Sequence, residues 1–152
     1  MRSLWHGISA GSARHAMAAF FPEEAYAQIK AFANDRADWK IRLLLDYKLD
    51  LKSAHDVVGG PAQFVGVKVP SAYAHWVAPG ACVNTGGYYE VPNSRLLYRR
   101  DGQLRSIGIA SMISWRGIWY VVHLGATYRV GNVGVVNDPS VGAGVAAPSS
   151  TC

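Results

Sequence analysis

Residues 106–127, SIGIASMISWRGIWYVVHLGAT, decide the fold class of this 152-residue chain. The 22 residues of this stretch include one charged side chain, Arg116, which together with Gly117 separates two runs rich in Ile, Val, Trp and Tyr. β-Branched and aromatic residues on both sides of such a dipeptide are typical of a β-hairpin. Because the arms are apolar on both faces, we expect them in the middle of a sheet that is covered on two sides or encloses a cavity.

The two faces of this hairpin differ in character. A two-residue turn at Arg116-Gly117 pairs Trp115 with Ile118, and the remaining register follows by counting. The heavy face, which we expect in the core, holds Ile107, Ile109, Ser111, Ile113 and Trp115 opposite Ala126, Leu124, Val122, Tyr120 and Ile118. The small, partly polar face holds Gly108, Ala110, Met112 and Ser114 opposite Gly125, His123, Val121 and Trp119. The small face has room for a packed helix or for a cavity, and these are the two alternatives.

Further strands are predicted on the N-terminal side of the hairpin. Residues 63–69 have alternating valines, and residues 88–99 form a strand that we expect to bend near Pro92. Asp101-Gly102 is a strong hairpin-turn signal, so residues 88–99, 104–115 and 118–128 are predicted to form a meander.

The N-terminal third contains the predicted helices. A short helix is predicted over 12–20, and a second over 22–33, where Pro22 and two glutamates suit a first helical turn. Residues 39–52 alternate apolar and charged side chains, which predicts a long amphipathic strand, although Leu and Lys also favour a helix. One or two helical turns are predicted over 53–58, before Gly59-Gly60.

These elements predict an α+β fold in which N-terminal helices pack on a curved, mostly antiparallel β-sheet. Residues 1–128 are predicted to form one domain. Residues 129–152 are rich in Gly, Ala, Pro and Ser with few charges, which predicts a flexible tail.

The amino-acid composition restricts the class of protein and the partners that we expect for this chain. Half of the residues are hydrophobic and 16% are charged, which argues against global disorder. The net charge is +5, but the one dense basic cluster is interpreted as a solvated hairpin tip, so no nucleic-acid partner is expected. That cluster consists of Arg95, Arg99, Arg100 and Arg105.

No membrane span and no signal peptide are expected. Arg116 in the middle of the apolar stretch would cost about 2.5–3.5 kcal/mol in a bilayer. His6, Arg14 and His15 interrupt any apolar run near the N-terminus. The expected location is the cytoplasm, and the alternative is a secreted or cell-envelope protein whose signal segment lies outside this sequence.

The two cysteines leave the redox compartment open. Cys82 and Cys152 are a disulfide candidate that would tie the C-terminus to the body of the protein. A Cys-His site is the alternative, because His75 and Asn84 share the loop of Cys82. The histidines and cysteines show no ligand-pair spacing, so no metal and no cofactor are expected.

Acid–base chemistry would draw on Glu90 and His123. Glu90 lies among apolar and aromatic residues and could point inward, and histidine titrates near neutral pH. The candidate ligand-binding residues are Trp119, His123, Ser114, Met112 and Tyr89.

The segment ISWRGIWYVVHLG, after N-terminal helices and a curved sheet, resembles the closing strands of the NTF2-like, cone-shaped α+β fold. The similarity covers residues 20–128. The segments AHWVAPGACVN and SIGIASMISWRGIWYVVHLG also resemble uncharacterised actinobacterial proteins. The NTF2-like resemblance implies a fold that hosts isomerases, dehydratases, non-catalytic pockets and dimer surfaces.

The leading functional hypothesis is a non-catalytic module that binds a small molecule or a partner protein. One alternative is a small-pocket lyase or isomerase that uses His123 and Glu90. The other is a structural protein that self-associates through its sheet, with a second copy of the chain as its partner.

Overall fold

The computed structural model describes residues 1–148, in which helices precede a six-stranded antiparallel sheet, so the α+β prediction is confirmed. The helices are α1 (Arg2–Ala10), α2 (Ala13–Ala16), α3 (Glu23–Ile29), α4 (Asp35–Asp38) and α5 (Leu45–Val58). The strands are β1 (Gln63–Lys68), β2 (His75–Val77), β3 (Tyr88–Arg100), β4 (Gln103–Trp115), β5 (Ile118–His123) and β6 (Asn137–Val141).

The predicted meander β3-β4-β5 is present, with β3 and β4 in the middle of the sheet; β5 stands at the end of the strand order, so the expectation of a central position is wrong for this arm. Asp101 and Gly102 have φ of 50° and 74°, and Arg116 and Gly117 have φ of 50° and 80°. Positive φ at both central residues gives turns whose twist matches that of the flanking strands. Both hairpins therefore have their turns at the dipeptides predicted from the sequence, and Trp115 pairs with Ile118.

The outer edge of β3 is shared by two short strands. β1 pairs with the C-terminal half of β3, from Arg95 to Arg99, and β2 pairs with its first three residues. Pro92 lies in the interval between these two partners, where its missing N–H breaks no ladder on that edge. The predicted position of Pro92 at an edge or a bend is thus explained by the topology.

Residues 39–58 are helical, and the predicted strand over 39–52 is wrong. Trp39–Leu44 is a π-helical segment that continues into α5, and Gly59 ends the helix with φ of 61°. The buried side chains recur every three or four residues, which is the period of one helix face. They are Trp39, Leu43, Tyr47, Asp50, Leu51, Ala54 and Val58.

The N-terminal helices differ from their predicted bounds. α1 covers residues where no pattern was evident, and it buries Leu4 and Ile8. The predicted helix over 12–20 is α2 followed by a 3₁₀ turn, Met17–Ala19. The predicted helix over 22–33 ends at Ile29, because Lys30 leaves the helix and pairs with Asn84.

α1 packs on the sheet near its β1 edge. The Trp5 ring lies 5.8 Å from the Phe64 ring and 5.7 Å from the Tyr98 ring. Phe64 and Tyr98 are cross-strand partners, and Leu96 and Ile107 on the same face are fully buried. α1 therefore covers this half of the sheet, and the cavity described below lies over the other half.

The predicted boundary at residue 128 and the flexible tail are wrong for part of the C-terminal segment. Asn137–Val141 form β6, which pairs with β4. The Asp138 carboxylate accepts a hydrogen bond of 2.7 Å from Arg95, which is 1% exposed. The segment thus completes the sheet and neutralises a buried cation. The part of the predicted tail beyond residue 148 lies outside the described residues.

A second buried ion pair joins α5 to the segment after β5. Asp50 is 1% exposed, and its carboxylate accepts hydrogen bonds from Arg129 and from the backbone N–H groups of Gly125 and Val135. A carboxylate with this many donors is well compensated in the interior. Asp50 therefore fixes residues 125–135, of which Ala126, Thr127 and Tyr128 line the cavity described below.

Candidate functional site

A cavity of about 420 Å³ lies between the uncovered half of the sheet and the helices. Its apolar lining comes from Phe21, Phe32, Leu43, Ile113, Val122 and Tyr128. Its polar lining includes Tyr26, Lys30, Arg42, Tyr88, Glu90, Ser111 and His123. The cavity continues past Ala110 and Asn137, at the point along one edge of β4 where the pairing with β5 ends and the pairing with β6 begins.

The side chain of His123 reaches this cavity because β5 is irregular near its end. The predicted register holds for Met112, which pairs with Val121, but Ser111 pairs with His123 instead of Val122. One extra residue in β5 shifts every later side chain to the opposite face. The prediction that His123 shares a face with Ser114 and Trp119 is therefore wrong, since His123 lies on the face of Ser111.

Glu90 is held on the same face of the sheet. Its carboxylate accepts a hydrogen bond of 2.8 Å from the Ser111 hydroxyl, and its other oxygen lies 4.0 Å from His75 Nε2. Glu90 is 6% exposed, and it pairs with Ile113 on β4 and with His75 on β2. The structure thus places Glu90 and His123, the two candidate acid–base residues, in the lining of one cavity.

The helical wall of the cavity carries two cations. Arg42 Nη2 donates hydrogen bonds to the Tyr26 hydroxyl at 2.9 Å and to the Asp38 carboxylate at 2.6 Å, and Tyr26 also donates to Asp38. The Lys30 ammonium donates to the Cys82 carbonyl at 3.3 Å. Arg42 therefore has a carboxylate partner, whereas no carboxylate within residues 1–148 forms an ion pair with Lys30.

Burial and neighbouring charges perturb the ionisable groups of the cavity. Burial, assisted by the positive charges of Arg42, Arg129 and Lys30, lowers the pKa of His123 to about 4. Burial and the charge of Arg42 lower the pKa of Lys30, against the opposing effect of Glu90 and Asp38. A charged group is disfavoured by desolvation and by a like charge nearby, so both shifts indicate a positive, partly dry cavity.

The other candidate ligand-binding residues lie away from the cavity. Tyr89 pairs with Trp76 on β2, and Trp119 pairs with Ser114 on β4. Together they form a row on the outer face of the sheet, in which Trp76, Tyr89 and Trp119 are 53%, 52% and 40% exposed. Met112 is buried at 2% exposure. The structure therefore separates His123 from these four candidates.

Cys82 also lines the cavity, close to its helical wall. Its candidate disulfide partner, Cys152, lies outside the described residues, so the bridge stays a prediction. The ring of His75 contacts the Tyr73 carbonyl at 3.0 Å and lies near Glu90, while the amide nitrogen of Asn84 donates to Tyr88. The hydrogen bonds of His75 and Asn84 therefore run to groups other than the Cys82 sulfur. Within residues 1–148, no group of three or more His, Cys, Asp and Glu side chains could hold a metal ion.

The basic cluster at the Asp101-Gly102 turn is less solvated than the sequence suggests. Arg95 is buried against β6, and Arg100 donates to the Val58 carbonyl at 2.7 Å. The interpretation as a solvated tip is wrong for Arg95, whose charge is used inside the fold.

Sequence reasoning missed Lys30, Arg42 and Tyr26. In the predicted strand, Arg42 would lie on the charged face, which points to solvent. On a helix, residues four apart are neighbours, so Asp38 and Arg42 form an i,i+4 ion pair. That spacing was the available signal, and it becomes informative only when residues 39–52 are assigned as helix.

No protein-family model, curated protein sequence or solved structure matches this chain. No helix in residues 1–148 combines the length and the apolar character needed to span a bilayer.

Proposed function

We propose that this protein is a non-catalytic module that binds a small organic anion in the cavity between its helices and its sheet. A volume of about 420 Å³ falls within the range of small-molecule sites, about 300–1,000 Å³. The lining also has the composition of such sites, with aromatic and aliphatic side chains around a few convergent polar groups.

The observation that carries this proposal is Lys30. Its ammonium group is partly buried at the cavity wall, and within residues 1–148 its one hydrogen bond is to a carbonyl oxygen. Cations in such positions are usually compensated by an anion. A ligand carboxylate would supply the missing charge.

The rest of the cavity suits the same ligand. Arg42 adds a second positive charge, and the neutral His123 ring has no hydrogen-bond partner within residues 1–148, so it can donate to or accept from a ligand. Glu90 is the opposing charge, but the Ser111 hydroxyl already occupies one of its oxygens. Phe21, with its neighbouring aromatic rings, provides a surface for the apolar part of the ligand.

A matched pair of probes tests the preference for an anion. Phenylacetate and phenylacetamide have nearly the same shape and differ in charge. Calorimetric titration should show phenylacetate binding about tenfold more tightly, equivalent to about 1.4 kcal/mol. Lys30→Met should abolish that preference, and Lys48→Met, at an exposed position on α5, should retain it. Equal affinity for both probes in the wild type would overturn the proposal.

The second candidate function is a lyase or isomerase that uses His123 and Glu90. The irregularity in β5, which brings His123 to the face of Glu90, favours it. An imidazole that is neutral at pH 7 can accept a proton from a carbon acid. Deuterium incorporation from D₂O at the α-carbon of phenylacetone, followed by NMR, would support this function if His123→Gln and Glu90→Gln both abolished it. Unchanged exchange in both variants would exclude these residues.

The outer row of Trp76, Tyr89 and Trp119 supports a proposal of self-association through the sheet. Exposed aromatic surface of this kind often marks an interface. Native mass spectrometry should then detect a dimer that Tyr89→Ser and Trp119→Ser weaken. A wild-type monomer at all concentrations would contradict self-association without affecting the cavity.

The NTF2-like assignment is also a proposal. The order of the elements supports it, as does α5, which supplies the substantial helix typical of that family before the sheet. A cavity between helices and sheet is compatible with both the binding and the enzymatic members of such a fold, so the assignment does not choose between them.

A further inference from the structure

The backbone around Lys30 is fixed, which gives its side chain a defined position in the cavity. The Ala31 N–H donates to the Val83 carbonyl at 2.9 Å, and the Thr85 N–H donates to the Ile29 carbonyl at 2.8 Å. These bonds tie both neighbours of Lys30 to the loop after β2. The ammonium nitrogen then lies 5.9 Å from the centre of the Tyr88 ring.

Lys30 differs from the other lysines of the chain in its surroundings. Lys52 forms an i,i+4 ion pair with Asp56, and Lys40 lies 4.0 Å from Glu23. Lys48 and Lys68 are exposed to solvent. Among the lysines of residues 1–148, Lys30 alone lines the cavity, where burial and the charge of Arg42 lower the pKa of its ammonium group.

A lowered pKa raises the fraction of a lysine side chain that is present as the free amine, which is the form that attacks carbonyl carbon. Desolvation and a neighbouring cation are the two means by which proteins activate lysine for this chemistry. Here both act on one side chain, and Arg42 also offers a guanidinium group for a carboxylate on the same molecule. The site therefore combines an amine, an anion-binding group and an apolar surface.

We propose that the Lys30 amine forms a reversible imine with an oxo acid, a small molecule that carries both a carbonyl group and a carboxylate. This inference rests on the proposed function, because it identifies the organic anion as one with an aldehyde or ketone group. It also assigns the amine nitrogen of Lys30 to a covalent bond with the ligand.

The step balances without an oxidant or a reductant. The nitrogen lone pair attacks the carbonyl carbon, the C=O π electrons move to oxygen, and a proton transfer from nitrogen to oxygen gives the carbinolamine. The nitrogen lone pair then forms the C=N bond as the C–O bond breaks, and the hydroxyl group takes the remaining N–H proton and leaves as water. His123, which is neutral and lines the same cavity, is available to accept the proton from nitrogen and return it to oxygen.

Reductive trapping tests the imine in the intact protein. Phenylpyruvate is the probe, and sodium cyanoborohydride converts an imine into a stable secondary amine. We expect one adduct, with the mass of the acid probe less one oxygen atom, and peptide mapping should locate it on Lys30. Trapping at Lys30 should exceed that at Lys48 and Lys68 several-fold, and an excess of phenylacetate should suppress it.

Lys30→Arg is the matched variant, because it keeps the positive charge and removes the nucleophile. It should lose the adduct, whereas Lys48→Arg should retain both the adduct and the binding of phenylacetate. Equal labelling of all lysines, or an undiminished adduct in Lys30→Arg, would overturn the inference. Phenylacetate binding that depends on the charge at position 30, without any trapped adduct, would overturn the imine and leave the anion site intact. A wild-type protein that does not bind phenylacetate would instead refute the proposed function.

Discussion

Acidification should destabilise this protein through His123. Its pKa is about 4 in the folded protein and about 6.5 in the unfolded chain. The unfolded state therefore takes up a proton as the pH falls through 6.5, while the folded state does not until the pH approaches 4. The stability is fully present above about pH 6.5 and is lost progressively between that pH and about 4.

The size of the loss follows from the two pKa values. The complete difference corresponds to about 3 kcal/mol, and about 2 kcal/mol of it is already lost at pH 5. That is a large fraction of the total stability of a domain, commonly about 5–15 kcal/mol. The cause is local, since the cations that oppose protonation of His123 are Arg42, Arg129 and Lys30.

Urea unfolding at pH 7.5 and pH 5 measures this effect, and the His123→Gln variant isolates it. Other groups also titrate over this range, so the informative quantity is the difference between wild type and variant. The wild type should lose about 2 kcal/mol more than His123→Gln. His15→Gln, at an exposed position, serves as the control for loss of an imidazole. Equal losses in the wild type and His123→Gln, or an NMR titration of His123 near 6.5, would refute the reasoning.

Three further predictions concern the body of the fold. Asp50→Asn should reduce the free energy of unfolding by about 3 kcal/mol, because it removes the shorter of the two carboxylate contacts of buried Arg129 and leaves only Asp46 at 3.5 Å; Asp56→Asn, at an exposed ion pair, should cost about 0.3–0.5 kcal/mol. Gly7→Ala should destabilise the protein although helix propensity favours Ala by about 1 kcal/mol, because the new methyl group would meet another helix. Protein purified without reductant should contain a Cys82–Cys152 disulfide, so mass spectrometry after alkylation should show no modified thiol until reduction.

Each of these has a decisive contrary result. Similar effects of the two aspartate variants in chemical unfolding would show that the charge of Asp50 is not important inside the protein. A raised melting temperature in Gly7→Ala would mean that α1 can move away from Ala16. Two alkylated cysteines in the unreduced protein would exclude the disulfide.

The hairpins were predictable because their signals are local. Asp101-Gly102 and Arg116-Gly117 adopt positive φ within two residues, and the flanking β-branched and aromatic residues favour strands in any context. No information from distant parts of the chain was needed. The same locality explains why the residues over 63–69 and 88–99 indicated real strands.

The helix over 39–58 could not be assigned in this way. Trp39, Leu43, Tyr47 and Leu51 are spaced four residues apart, so they satisfy a period of two and one face of a helix equally well. The odd positions between them distinguish the two structures, because a strand would bury them and a helix would not. Ile41, one of these positions, is 72% exposed. Whether such a residue is buried depends on tertiary packing, which no local pattern contains.

The candidate site was predictable in part for the same reason. Glu90 and His123 were identified by their residue types within apolar strands. Their common face depends on the extra residue in β5, and no Gly or Pro marks that position. Lys30 and Arg42 were missed because their importance comes from the cavity that distant elements enclose.

The C-terminal segment has a consequence for the synthesis of this chain on the ribosome. Asp50 and Arg95 are buried charges whose partners, Arg129 and Asp138, are translated much later. A nascent chain that ends at residue 128 has complete helices and the complete central hairpin sequences, but both charges lack their partners. Commitment to the native fold should therefore wait until the last strand has emerged, and until then the helices and the meander are exposed to chaperones and proteases.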